Sequence, residues 1–282
     1  MAQPRSILLQ TTIGDVDDDW NVARFSLLAE ELRRAGHSVT ARNRAGTGAD
    51  PVLRALDTLP YDQVWLIAVD TGDGLTDEDA AGIRRFRRRG GGLLTARDHH
   101  DLGCSLLRLG SVGRLHQFHG GDPDADARRD DPDNPGISWP NFHSGANGGY
   151  QRIVADLPVH ALLRTSRTAS GHIEWFPAHP HEGAVSVPPG WSCARVVAHG
   201  CSAVSGRRFD LVVCLDGELD GDGRALGRVV ACSTFHHFAD MNWDVDRGAP
   251  SFVTDRPSDE IQRDPSRLEV FQDYVRNIAD WL

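Results

Sequence analysis

A doubly wound α/β fold with a mostly parallel sheet is predicted by three features of this sequence. In the first hundred of its 282 residues, four strand-like runs alternate with three helical patterns, as repeated βαβ units do when their crossovers place helices on both faces of a sheet. The most apolar runs, QVWLIAVD and LLTA, are continuous rather than alternating, as in strands buried on both sides. Titratable residues collect immediately after the fourth run, where open α/β sheets bind ligands.

Residues 6–13 (SILLQTTI) read as the first strand, β-branched toward its end. An acidic loop, GDVDDDW, leads to a helix that Asp19 or Asn21 can cap, with Val22, Phe25, Leu28, Leu32 and Ala35 on its apolar face. Gly36 stops it, and residues 37–42 form a less apolar strand near an edge. Pro51 opens a short helix over 50–59, and 63–70 is the third strand. Thr76-Asp77-Glu78-Asp79 resembles a capping box. The helix it starts ends in five arginines, Arg84, Arg85, Arg87, Arg88 and Arg89, cations that suit the negative helix end. Gly90-Gly91-Gly92 then turn the chain into a strand at 93–96, and residues 102–109 suit a helix leaving it.

From 110 to 190 the pattern dissolves into Gly, Pro, Asp and His. A structureless loop of that length is uncommon inside a compact domain, so short elements folded over the site as a lid are expected. Strands return at 193–199, 209–215 and 228–235, the last two joined by a hairpin-like turn. Ser266 with Glu269 is expected to cap a final helix, with Phe271, Tyr274, Ile278 and Trp281 facing the sheet. No repeat or linker divides the chain, so one domain over residues 1–282 is expected, with 110–190 as the lid within it.

The net charge of −10 argues against a nucleic-acid partner, which needs a basic face for phosphates. Apolar runs are strand-sized, so nothing is expected to span a membrane. The first residues lead straight into a strand without a secretory leader pattern, which makes the cytoplasm the expected location. The five cysteines are odd in number and lack C-x-x-C spacing, as fits buried thiols in a reducing compartment. All 30 basic residues are arginine, which excludes a Schiff-base or P-loop lysine.

Three constellations carry the chemistry. The first is Asp98-His99-His100-Asp101, at the end of the fourth strand. Adjacent side chains on an extended segment point opposite ways, so at most one of the two imidazoles should face a given cleft. The second is His116-x-x-His119, whose members share a face only on a helix. The third is Phe235-His236-His237-Phe238-Ala239-Asp240, at the end of the last core strand. Two parallel strands ending this way would bring both histidine pairs to one sheet edge, where three N/O ligands and an open position make a catalytic zinc site and iron or manganese accept the same donors. Weaker signals are His143 and Asn147 in FHSGANGG, and the HPHEG stretch at 179–183, which could supply ligands or a base. Asp122, Asp124, Asp126, Asp130 and Asp133 follow calcium-loop spacing, but Ala127 replaces the required glycine. A solvated acidic loop is the better reading there.

At these residues the chain resembles the class I glutamine amidotransferase-like superfamily and, within it, the trehalose-utilisation (ThuA-like) family. The resemblance rests on Gly90-Gly91-Gly92 with Leu93-Leu94, on the stretch from Gly110 to His119, and on the strand from Arg228 to His237. It spans roughly residues 5–120 and 193–240 and maps His119 onto the family histidine. It implies a flavodoxin-like domain and, by analogy with relatives linked to sugar metabolism, a small polyol-like substrate. The amidotransferase nucleophile would fall near Asp98 or His99, where no cysteine stands, so a Cys-dependent glutaminase is not expected. Arg97 or Asp98 stands where ThuA-like chains tend to carry histidine.

The expectation is therefore a flavodoxin-like enzyme acting on a small polar oxygenated substrate as a hydro-lyase or hydrolase. Its divalent metal, zinc first and iron or manganese next, would be held among His99, His100, His119, His236 and His237. Asp98, His99 and Asp240 would orient ligands or act as acid and base, and Arg97, Arg114, His143 and Asn147 would meet the substrate. A small molecule is the expected partner, with no nucleic acid and no membrane, and a homo-oligomer stays open. The alternatives are a non-catalytic ligand- or partner-binding module and a metal-free His/Asp acid–base enzyme.

Overall fold

The computed structural model describes residues 3–121, 130 and 136–282. Among these described residues the strands are β1 Ser6–Thr11, β2 Ser38–Arg42, β3 Gln63–Ile67, β4 Gly92–Ala96, β5 Tyr150–Arg152, β6 Val154–Ala155, β7 Trp175–Pro177, β8 Ala194–Cys201, β9 Arg208–Leu215 and β10 Val229–Cys232. The α-helices are α1 Ser26–Arg34, α2 Asp77–Arg88, α3 Glu260–Arg263 and α4 Pro265–Trp281. Eight strands form one sheet in the order β2-β1-β3-β4-β10-β9-β8-β6. β2, β1, β3, β4 and β10 run parallel, and β9, β8 and β6 continue the sheet by antiparallel pairing. The fold is α/β with a mostly parallel mixed sheet, as the alternation of runs predicts.

The apolar continuity of β3 and β4 has its physical reason here, because every residue of both strands is buried. Side chains alternate between two cores. Trp65, Ile67 and Leu94 face one, with Leu28 and Leu32 of α1 and Phe271, Tyr274 and Ile278 of α4. Val64, Leu66 and Leu93 face the other, with Ala80, Ile83 and Phe86 of α2. The Thr76 capping box forms: Asp79 N–H donates to Thr76 Oγ1 at 3.2 Å and Thr76 N–H to Asp79 Oδ2 at 2.9 Å. Gly90 ends the turn after α2 at φ +92°, a left-handed conformation that strains other residues.

Several boundaries differ from expectation. Residues 53–58 and 104–109 are 3₁₀ rather than α-helical. The final helix starts at Pro265 with no side-chain cap; Ser266 Oγ instead donates to Asp264 Oδ1 at 2.5 Å. β10 stops at Cys232, and His236–Phe238 is a 3₁₀ turn. The irregular stretch after residue 110 holds β5, β6 and β7, of which β6 joins the main sheet and β5 pairs with β7. It also gives Ile153, Leu162, Leu163, Ile173 and Phe176 to the first core. Among the described residues, no helix is long and apolar enough to cross a membrane.

Candidate active site

β4 and β10 are parallel neighbours with Ala96 opposite Cys232, so Arg97-Asp98-His99 and Ser233-Thr234-Phe235-His236 leave the sheet side by side. Phe235 N–H donates to Arg97 O at 2.6 Å, and Thr234 Oγ1 donates to Asp98 Oδ1 at 3.1 Å. A third segment, residues 178–183, crosses both strand ends. A Cβ on Gly183 would lie 2.5 Å from Asp98 O and 2.6 Å from Ser233 O, so only glycine allows that approach. The crossing delivers His179 and His181.

Three imidazoles surround the buried Asp98 carboxylate. His99 Nδ1 lies 3.0 Å from Oδ2, His236 Nε2 3.3 Å from Oδ2, and His179 Nε2 3.4 Å from Oδ1. Burial pushes the Asp98 carboxyl up; with His99 and then His236 the largest opposing influences, the group is held well below the usual carboxylate range. Burial acts on the imidazoles in the other direction. It lowers His99 to about 4 against the pull of Asp98, and it holds His179 well below its ordinary value, with His236 adding to the effect. His179 and His236 stack at 3.5 Å with 12° between their planes.

The tautomer of His179 follows from a chain of hydrogen bonds. The Gly148 N–H can only donate, so the atom it meets at 2.8 Å is correctly the oxygen of Asn242. The other arm of Asn242 is then the amide nitrogen, which donates to His236 O at 2.9 Å and faces Asn147 Oδ1 at 3.3 Å. Asn147 therefore presents its oxygen, and His179 Nδ1, 2.8 Å away, must carry the hydrogen. That leaves Nε2 as a lone pair 3.4 Å from the Asp98 carboxylate, with no hydrogen-bond donor to meet it among the described residues. Two acceptors facing each other in a buried site call for a cation or a proton between them. One ligand atom from each of Asp98, His99 and His179 lies within 4.8 Å of the others, the one such group of three among the described residues. The cluster opens into a cleft of about 390 Å³ whose lining includes His181 and Asp255, paired at 3.2 Å.

Of the sequence candidates, Asp98, His99 and His236 meet here, and Asn147 stands behind His179. The others lie elsewhere. His100 adopts φ +53°, which sends its ring away from that of His99. It bonds Ser138 Oγ at 3.1 Å and packs edge-on to His119 at 4.8 Å. His237 turns into the core, 3.4 Å from the buried Glu182 carboxylate. Asp240 caps α1, accepting from Ser26 N–H at 3.1 Å, Ser26 Oγ at 2.5 Å and Leu27 N–H at 2.8 Å. Arg97 is fully buried; its guanidinium donates to Leu102 O, His100 O and Gln117 O and lies 4.3 Å from the Phe118 ring. Exposed Arg114 packs over Trp191 at 4.9 Å. His143 Nδ1 meets Pro180 O at 3.2 Å. None of these three lines the cleft. In the calcium-like stretch, Asp122, Asp124, Asp126 and Asp133 lie outside the described residues, while buried Asp130 accepts from Ser205 Oγ at 2.8 Å.

No protein-family model matches the chain, and no curated protein matches it. Among solved structures it is similar to a putative ThuA-like protein from Parabacteroides merdae, with 16% identity, 92% of this chain and 99% of that one covered, and a TM-score of 0.49. It is also similar to Cytoplasmic Protein STM1381 from Salmonella typhimurium LT2, with 12% identity, 84% and 94% covered, and a TM-score of 0.47. A third likeness is to the Trypanosoma brucei CTPS glutaminase domain with bound acivicin, with 14% identity, 96% and 93% covered, and a TM-score of 0.43.

Proposed function

We propose that the chain is a metal-dependent enzyme centred on Asp98, His99 and His179. The observation that carries this is the approach of two acceptors, His179 Nε2 and Asp98 Oδ1, at 3.4 Å. One carboxylate and two imidazoles leave positions open, as catalytic zinc sites do, and suit iron or manganese as well. A divalent ion held there would supply Lewis acidity toward a carbonyl or a water. The chain's own residues do the rest. Asn147 holds His179 with Nε2 toward the cleft, Asp98 stays ionised, and His236 supports Asp98. In this reading the chain is one domain and residues 110–190 are its lid, since they carry His179 and His181. The reaction is hydrolysis or addition and elimination of water on a small oxygenated molecule.

Metal content by plasma mass spectrometry, on protein purified without a His-tag, tests the assignment. Near one equivalent is expected in the wild type and near none in His179→Ala and Asp98→Ala. Stoichiometric metal retained in both variants would remove the assignment. A second reading, a metal-free acid–base enzyme, is favoured by the 3.0 Å contact between His99 Nδ1 and Asp98 Oδ2. It predicts no metal in the wild type, even after titration with zinc.

A further inference from the structure

The cleft has two unlike sides. One is the carboxylate–imidazole cluster; the other is an apolar wall that includes Trp20, Val69, Phe235, Phe252 and Val253. Two loops build most of that wall, and they are tied together. Residues 14–20 carry Trp20, residues 248–259 carry Phe252 and Val253, and Asp18 joins them by accepting from the Ser251 N–H at 2.8 Å and from the Ser251 hydroxyl. Those two bonds hold the Asp18 carboxyl below its ordinary value. The wall begins at the cluster itself, since the Trp20 ring stands edge-on to His236 at 4.6 Å and tilted against Phe235 at 5.3 Å. Phe252, also on the wall, is 58% exposed. The rim carboxylates are engaged by the protein. Asp19 Oδ1 accepts from Trp20 N–H at 2.7 Å, and Asp255 Oδ2 meets His181 Nε2 at 3.2 Å.

We infer that the cleft takes a neutral amphiphile, a flat apolar body lying against Trp20 and Phe252 with one small polar head, a carbonyl, amide or hydroxyl, at Asp98, His99 and His179. This names the substrate class of the reacting centre and rests on the reading of that centre given above. A polyol laid along the wall would exchange water for C–H surface at each hydroxyl, and an unpaired buried hydroxyl is costly. An apolar body loses nothing there and gains by covering the exposed Phe252. Aromatic rings also add favourable edge and face contacts with a flat partner. The cleft of about 390 Å³ falls within the range of small-molecule sites, roughly 300–1,000 Å³.

Calorimetric titration of the full chain with benzamide and with arabitol, in metal-free buffer and again with zinc, tests this. Benzamide should bind, and arabitol should give no measurable heat at the same concentrations. Phe252→Ser should weaken benzamide about fivefold, while Phe252→Leu, which keeps most of the apolar area, should stay within about twofold. Absence of benzamide binding, arabitol binding as tightly as benzamide, or an unchanged benzamide Kd in Phe252→Ser would each overturn the inference. The two readings also fail separately. A chain that takes up no metal but binds benzamide through Phe252 keeps the amphiphile and loses the metal; one equivalent of metal with indifference to benzamide does the reverse.

Discussion

In the proposed metal site, Asn147 decides which nitrogen of His179 looks into the cleft, so its replacement should be felt in metal binding before it is felt in the fold. Partners that fix a ligating imidazole are worth about 10- to 100-fold in metal affinity. Asn147→Leu should therefore weaken zinc binding by that order in a chelator competition, while Asn147→Asp, whose carboxylate still accepts from Nδ1–H, should bind nearly as tightly as the wild type. Equal affinity in Asn147→Leu and the wild type would remove the tautomer argument. At this scale the sequence was legible by type and not by direction. Each double histidine at a strand end puts one imidazole, His99 or His236, beside Asp98, and the alternation of neighbouring side chains limits each pair to one imidazole per cleft. Which one it is depends on the φ of +53° at His100 and on the 3₁₀ turn at His236–Phe238. Arg97 looked like a substrate arginine because nothing local reveals the three carbonyls that surround it.

The elements that meet at the site differ in how well pattern describes them. β4 and β10 are readable because burial on both faces demands continuous apolar residues, and their parallel pairing brings Asp98 and His236 together. Residues 178–183 have no period to read, since they are held by tertiary contacts: Ser144 N–H donates to His179 O at 3.1 Å, and the buried Glu182 accepts from Ser144 Oγ at 2.5 Å. The HPHEG stretch was visible only as a weak signal for that reason. Its fit against the strand ends depends on Gly183, where an added Cβ would sit 2.5 Å from Asp98 O. Gly183→Ala should lift the segment, moving His179 and His181 together. It should cost about 1–3 kcal/mol of stability, as overpacking does, and it should abolish metal uptake. Chemical denaturation and metal analysis read the two effects separately. Full metal occupancy with wild-type stability would show that the crossing is not the constraint inferred here.

On the scale of the whole molecule, buried neutral histidine links the fold to pH. His116 is the clearest case, because it lies outside the Asp98 cluster and its Nε2 shares a 2.9 Å hydrogen bond with Thr95 Oγ1 in the core. Burial, with a smaller contribution from Arg97, pushes its pKa down to about 3 from an ordinary 6.5. In the unfolded chain this imidazole takes up a proton as pH falls through 6.5, whereas in the folded chain it does so only near 3. Between those values the unfolded state binds more protons, so folding stability is present in full above pH 6.5 and is lost on acidification. The slope from one such group is about 1.4 kcal/mol per pH unit. Asp98, held well below the usual carboxylate range, adds a loss of the same sign below its ordinary value of 3.8. His116→Gln keeps a polar atom near Thr95 and removes the titration. Urea denaturation at intervals between pH 7 and pH 4 should therefore show a shallower acid slope in the variant, with the two curves converging as pH falls even if the variant is less stable at pH 7. Parallel curves over that range would mean that His116 is protonated in the folded protein, and the burial argument for it would fail.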